Sequence, residues 1–353
     1  MIPTAEHVSL TSWEPVDLRP VLAGEQVTQP PSVLEREDGV RLLYGGRLNL
    51  FAGETESLKS WCWQLAATQE LKAGQHVIVI DFEDTPEGTV ERLRSLGASA
   101  EQIEAHLTFI QPESRFDELA EEVIRDYIAQ RGAPTLVVID GVTEAMSQIG
   151  LDPTKGPDVA AFFASYPTRF ARTGAAVVLV DHVTKSTENR GRWAIGSERK
   201  LSGLTGAAYM FDVLSPFGRG RTGKAKLTVA KDRCGHVRQH EGSGRVIALL
   251  ELRSWPDGGV TASLAAPEPV SEGPFRPTGV MEQLSAMVAE TPGMGVKQLR
   301  AAVRCKASTT DLALEILVNE GYVTVEPGPN RLKRHVSVRP FLAHDPGNDD
   351  ASF

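Results

Sequence analysis

Gly53, Glu54, Thr55, Glu56, Ser57, Leu58, Lys59 and Ser60 follow one another in the chain. A phosphate-binding loop asks for glycine, four residues, a second glycine, lysine and then serine or threonine. Gly53, Lys59 and Ser60 keep that register, and Leu58 stands where the second glycine belongs. Such a loop turns backbone N–H groups toward a polyphosphate, lays the lysine ammonium over the β and γ phosphates, and offers the hydroxyl to Mg2+. ATP is therefore expected against Gly53 to Trp61, with Lys59 on the phosphates and Ser60 on Mg2+. The missing glycine normally supplies permissive backbone angles, so the loop alone leaves an ordinary strand, turn and helix with a surface lysine as the alternative.

Three other apolar runs end in reactive side chains. LVVID closes on Asp140, where a carboxylate beside the loop would serve Mg2+. VIVIDFED closes on Asp81, Glu83 and Asp84, any of which can polarise a water against a terminal phosphate. VVLVDHVTKS closes on Asp181, His182, Thr184 and Lys185. Four strands with polar carboxyl ends are what a site at the C-terminal edge of an open α/β sheet requires, and the chemistry they share with the loop is nucleotide hydrolysis.

These side chains need a scaffold to bring them together. Short β-rich runs (LLYGG, RLNLFAG, VIVIDFED, LTFIQ, TLVVIDG, AAVVLVDHV) alternate with helical stretches after Lys59 and over 86–96, 116–131 and 157–173. That alternation predicts an α/β fold with a parallel sheet covered on both faces, and the Gly53–Ser60 spacing makes it a P-loop core. AAYMFDVLSPF, AKLTVAKDR, RVIALLELRS and GGVTASLAA follow without helices between them and are expected to extend the sheet with antiparallel strands. At 353 residues the chain has room for this core and a smaller domain. The composition places an N-terminal arm at 1–36, the core at 37–265, a Pro/Gly/Ser linker at 266–276, a second domain at 277–343 and a disordered acidic tail at 344–353. No apolar run reaches the roughly 18 residues of a membrane span and no signal peptide is visible, so no membrane association and a cytoplasmic location are expected. Cys62, Cys234 and Cys305 are odd in number and widely spaced, which fits reduced thiols rather than disulfides or zinc. The net charge of -9 speaks against a protein that coats nucleic acid with its whole surface.

With GETESLKS, DFED, LVVIDG, DHVTKS and a later KDRCG in hand, residues 37–265 resemble the RecA-like ATPases of the hexameric replicative helicase superfamily, the RepA-type and DnaB-type enzymes among them. The resemblance implies Glu83 as general base, Asp140 as the Mg2+ carboxylate and His182 as the sensor of the γ phosphate, with Asp81 and Asp84 in support. It implies Arg233 as an arginine finger reaching a neighbouring subunit's nucleotide, with Lys231 as its companion. It also implies a homo-oligomer, a hexameric ring. Leu58 departs from the pattern of both families. Taken without the resemblance, Lys231 and Arg233 are equally well two solvated strand residues.

The stretch KSTENRGRWAIGSERK supplies Lys185, Arg190, Arg192, Arg199 and Lys200 as candidate phosphate contacts to single-stranded DNA, with Trp193 free to stack on a base. FGRGRTGKAKL adds Arg219, Arg221, Lys224 and Lys226. The segment after the linker reads as a winged helix: a helix over 277–290, GVKQLRAAV, a helix opening at Ala307, Ser308, Thr309 and Thr310, and a hairpin turning at Pro327, Gly328 and Pro329. Lys306, Arg331, Lys333 and Arg334 charge it for DNA, and the acidic EILVNE face suits a replication or loading protein equally. The expected function is an ATP-driven helicase translocating on single-stranded DNA. An ATP-switched DNA-binding regulator and a recombination or repair ATPase remain as alternatives.

Overall fold

Apolar residues alternate between two faces along each central strand, and the chain covers both. In a computed structural model the described residues are 16–25, 27–183, 198–267, 276–303, 305–328 and 333–342. The chain divides into two compact units, Met1–Pro269 and Val270–Phe353.

The first unit runs α1 (Arg19–Leu22), β1 (Val33–Glu35), β2 (Arg41–Leu43), β3 (Leu48–Gly53), α2 (Lys59–Lys72), β4 (Val77–Asp81), α3 (Pro86–Ser95), α4 (Ala100–His106), β5 (Leu107–Ile110), α5 (Glu118–Arg131), β6 (Leu136–Asp140), α6 (Val142–Gln148), α7 (Gly156–Ala164), α8 (Tyr166–Arg172), β7 (Ala176–His182), α9 (Glu198–Gly203), β8 (Ala207–Ser215), β9 (Thr222–Asp232), β10 (Val246–Ser254) and β11 (Val260–Ala265). Nine strands form one sheet in the order β11-β10-β9-β8-β3-β7-β6-β4-β5. From β8 to β5 the neighbours are parallel, and β9, β10 and β11 are added antiparallel. This is the expected α/β class, a RecA-like P-loop core. Phe51, Val77, Val79, Val138 and Val178 point to one face with Cys62, Trp63, Ala66, Ala67 and Leu71 of α2. Leu50, Ile78, Ile80, Val137, Ile139, Val177 and Leu179 point to the other with Met146, Phe162 and Tyr166. Each fully buried side chain of this size contributes roughly 1.5–3 kcal/mol, so the strand ends that bear the polar residues are fixed from both sides.

Several boundaries differ from the sequence expectation, each for a local reason. Val33 and Leu34 are buried, and β1 pairs with β2 in a separate antiparallel hairpin. The arm boundary at residue 36 therefore cuts through a hairpin, and Leu42 and Leu43 of LLYGG belong to that hairpin rather than to the parallel sheet. The helix expected over 157–173 is two helices: the backbone breaks at Ser165 (ψ -132°) and Pro167 opens α8, where a proline is tolerated because its missing N–H would be unpaired in any case. Short helices α4, α6 and α9 were not anticipated. The first is fixed by a reciprocal cap between Ser99 and Gln102.

In the second unit α10 (Thr278–Glu290), α11 (Val296–Ala302) and α12 (Ala307–Asn319) are followed by the antiparallel pair β12 (Val323–Pro327) and β13 (Lys333–Ser337). Met281, Leu284, Val288, Leu299, Leu314, Leu317 and Phe341 make its core. Bidentate ion pairs join Arg276 to Glu320 and Arg300 to Asp311. No helix among the described residues is long and apolar enough to cross a membrane.

Candidate active site

The turn from β3 into α2 is drawn tight. A Cβ on Gly53 would lie 2.6 Å from the Ser57 hydroxyl and 2.9 Å from the Phe211 carbonyl, so only glycine fits there. Glu56 and Leu58 both take left-handed backbone angles, Leu58 at φ 69° and ψ 13°. Leu58 thus adopts the conformation for which the motif ordinarily uses glycine, at a cost of roughly 1–2 kcal/mol for an L-residue. Its side chain offsets that cost by burial in the core beneath α2, where it is 6% exposed. Leucine has no side-chain acceptor, and α2 has no side-chain N-cap. The opening N–H groups and positive end of the helix dipole are therefore left for an anion. Lys59 folds back into the turn, donating to the carbonyls of Gly53 (3.0 Å) and Glu54 (2.7 Å) and to the Ser57 hydroxyl (3.2 Å).

Strand register brings the other groups to this turn. Gly53 pairs with His182 across β3 and β7, and Asp81 pairs with Asp140 across β4 and β6. The Ser60 hydroxyl donates to Asp140 Oδ2 at 3.3 Å, and the Trp63 indole N–H donates to the same oxygen at 2.6 Å. His182 Nδ1 lies 3.4 Å from the Lys59 ammonium, and its Nε2 lies 3.1 Å from Glu83 Oε1. An ammonium only donates, so Nδ1 accepts and Nε2–H donates to Glu83. Asp81 Oδ1 accepts from the amides of Glu83 (2.9 Å) and Asp84 (2.8 Å), shaping the turn that aims Glu83. Asp84 itself faces away, paired with Arg92 at 2.8 Å.

Burial dominates the electrostatics. It pushes the Asp140 carboxyl up, against the Trp63 and Ser60 donors that hold it down. It pushes Glu83 up as well, opposed by His182 and reinforced by Glu144, and carries Asp81 up to about 6. It pulls Lys59 down to about 8, against the pull of Asp140, Glu83 and Asp181. A cation and three carboxyls whose ionisation is shifted by burial and by one another occupy one sheet edge, the condition under which acid–base chemistry runs near neutral pH.

Residues 13–188 match the model of a family described as an AAA domain, and they span the turn, the helix and all three carboxylate-bearing strand ends. The chain carries a P-loop ATPase domain. The comparison with curated proteins returns no match.

For this ATPase, two residues that the sequence did not single out matter at the site. Trp63 lies three positions after Ser60, on the same helical face, and ties α2 to Asp140. Glu144, in the first turn of α6, reaches toward Glu83: a Cβ on Gly141 would lie 3.0 Å from Glu83 Cγ and 3.3 Å from Glu144 Oε2. The oxygens of Ser60 and Asp140 suit Mg2+, which takes few protein ligands and completes its shell with water and phosphate. Among the described residues no group of three or more His, Cys, Asp or Glu could cage an ion. Mg2+ held by Ser60 and Asp140 would neutralise charge on the β and γ phosphates.

Two expected residues are used otherwise by the ATPase. Lys200 does not present its ammonium to a DNA strand: it is buried and bonds Asp181 Oδ2 at 2.6 Å. Lys231 is committed within its own chain, donating to the carbonyls of Leu201 (2.6 Å), Ser202 (3.1 Å) and Leu204 (2.9 Å) at the end of α9. Lys224 and Lys226 pair with Glu251 and Asp212, whereas Arg219 and Arg221 are exposed. Trp61 packs edge-on against Phe217, ring centroids 5.0 Å apart. Arg233 is exposed just past Asp232, which pairs with Ala207 at the start of β8. It therefore sits at the amino edge of the sheet, the far end of β3 from the phosphate loop, roughly 17 Å away along a six-residue strand. Lys185, Arg190, Arg192 and Trp193 lie outside the described residues, as do the side chain of Arg199 and Arg331 of the second unit.

Proposed function

We propose that this P-loop ATPase is a DNA motor in which like subunits pack head to tail and hydrolyse ATP between them while moving on single-stranded DNA. The observation that carries the reading is the meeting of Lys59, Ser60, Asp140, His182 and Glu83 at one sheet edge while Arg233 stands exposed at the other. An arginine that cannot reach its own subunit's phosphates can complete a neighbour's site, and repetition of that contact closes a ring, the hexamer of the resembling enzymes. ATP entry draws Lys59 from the loop carbonyls to the β and γ phosphates. Glu83 takes the proton of a water that attacks the γ phosphorus as the bond to the bridging oxygen breaks. His182, between Lys59 and Glu83, registers whether the γ phosphate is present. The basic stretch 185–200 supplies Lys185, Arg190, Arg192 and Arg199 as the phosphate contacts to the strand. The second unit, read as a winged helix, docks DNA or a loading protein.

The test measures ATP turnover with and without single-stranded DNA, alongside particle size with and without nucleotide. DNA stimulation together with nucleotide-dependent growth of the particle supports the motor. Glu83→Gln should bind ATP yet lose about 10^2–10^4 of its turnover. Exposed Lys306, Ser308, Lys333 and Arg334 on the second unit favour a second reading, a DNA-binding regulator switched by ATP. Strand displacement separates the two, because a motor needs turnover whereas a switch needs only binding and keeps its DNA affinity in Glu83→Gln.

A further inference from the structure

Asp181 is 1% exposed and Lys200 5%, and their 2.6 Å ion pair joins residues nineteen positions apart, one at the end of β7 and one on α9. Removing two charges from water costs several kcal/mol per ion, and an apolar pair of similar volume would stabilise a core at least as well. Stability alone does not account for this pair.

Its geometry does. The second oxygen of Asp181 accepts from the His182 amide at 3.1 Å and from the Thr143 hydroxyl of α6 at 3.2 Å. The same His182 contacts Lys59 and Glu83. Lys200 is presented from a helix held on two sides: a Cβ on Gly203 would lie 2.7 Å from the Phe163 ring, so α9 sits hard against it, and Lys231 binds three carbonyls at its end. A fixed cation thus sets one carboxylate oxygen, and the other sets the backbone of His182 and the first turn of the helix that carries Glu144.

We propose that Lys200 and Asp181 are positioning residues for ATP hydrolysis, clamping His182 at the distance from which it governs Glu83. The proposal rests on the assignment of Glu83 and His182 to hydrolysis. It concerns turnover more than nucleotide binding, because neither residue hydrogen-bonds Lys59 or the loop, Asp181 acting on Lys59 only through space.

The test is the double variant Asp181→Asn with Lys200→Met, which removes both charges together and so avoids an uncompensated buried ion. ATP affinity should stay within about threefold while kcat falls about tenfold or more, the scale on which partners one layer behind a reacting group act. A wild-type kcat in the double variant overturns the proposal. Lys200→Arg gives a second measurement, since it keeps the charge: it should retain more kcat than Lys200→Met at equal ATP affinity, and equal loss in both overturns the proposal. Glu83→Gln run in parallel separates the two failures. Full hydrolysis by Glu83→Gln removes the assignment beneath the proposal, whereas an inactive Glu83→Gln beside a fully active double variant removes only the clamp.

Discussion

Two carboxylates at opposite edges of the central sheet, Asp232 and Glu83, are used in opposite ways. At the amino edge Asp232 accepts five hydrogen bonds, from the Tyr44 hydroxyl (2.7 Å) and from the amides of Cys234, Gly235, Val237 and Arg238 (2.9–3.2 Å). Every lone pair is engaged, and the result is a rigid turn that holds Arg233 outward. At the carboxyl edge Glu83 receives one histidine N–H at 3.1 Å, with a second carboxylate, Glu144, beside it. Identical chemistry becomes architecture where donors saturate it, and a candidate base where donors are withheld.

The contrast can be broken first at Arg233. Arg233→Ala should lower kcat by about 10^3–10^5 while leaving ATP affinity intact. On the head-to-tail packing proposed above, mixing it with Lys59→Ala subunits should restore hydrolysis, since some interfaces would then join an intact loop to an intact Arg233; steady-state turnover of mixtures at several ratios checks this. At the other edge, Trp63→Phe removes the closest donor to Asp140 and should raise the Mg2+ needed for half-maximal turnover by about 10–100-fold, read from a Mg2+ titration of ATPase rate.

A smaller effect follows from Lys59, whose ammonium is held down to about 8 by burial. A triphosphate favours the protonated form, so binding should take up a proton around that pH. Affinity should weaken by up to about tenfold per pH unit above it. Calorimetric titrations in two buffers of different ionisation heat measure the uptake. The smallest effect is the difference between two substitutions of Leu58. Leu58→Ala keeps the left-handed strain and empties a buried site, for a loss of about 2–5 kcal/mol. Leu58→Gly relieves the strain and should be less destabilising than alanine by about 1 kcal/mol, the reverse of the usual order, as judged by urea unfolding.

Much of the carboxyl edge was legible because its signals are local. An apolar run followed by an acid marks a buried strand end, and Gly53, Lys59 and Ser60 keep motif spacing whatever surrounds them. Trp63 and Glu144 were not legible, since their importance depends on which helical face meets which strand end. Lys200 was misread for the same reason: a lysine in a basic stretch looks solvated until its partner, nineteen positions earlier, is seen buried beside it. Lys231 resembled a finger's companion by spacing, yet the end of α9 comes close enough to claim its ammonium. Leu58 lay between the two cases. Its register was visible, but that a leucine could hold a left-handed angle depended on the core waiting beneath it.

The indole of Trp63 gives this molecule a built-in optical gauge. The ring is 1% exposed and bonded to Asp140, so in a chain whose other four tryptophans are replaced by phenylalanine its emission should respond to the charge and occupancy of that carboxylate. Arrivals and departures at the pocket should then be readable in real time by ultraviolet excitation, with no dye attached.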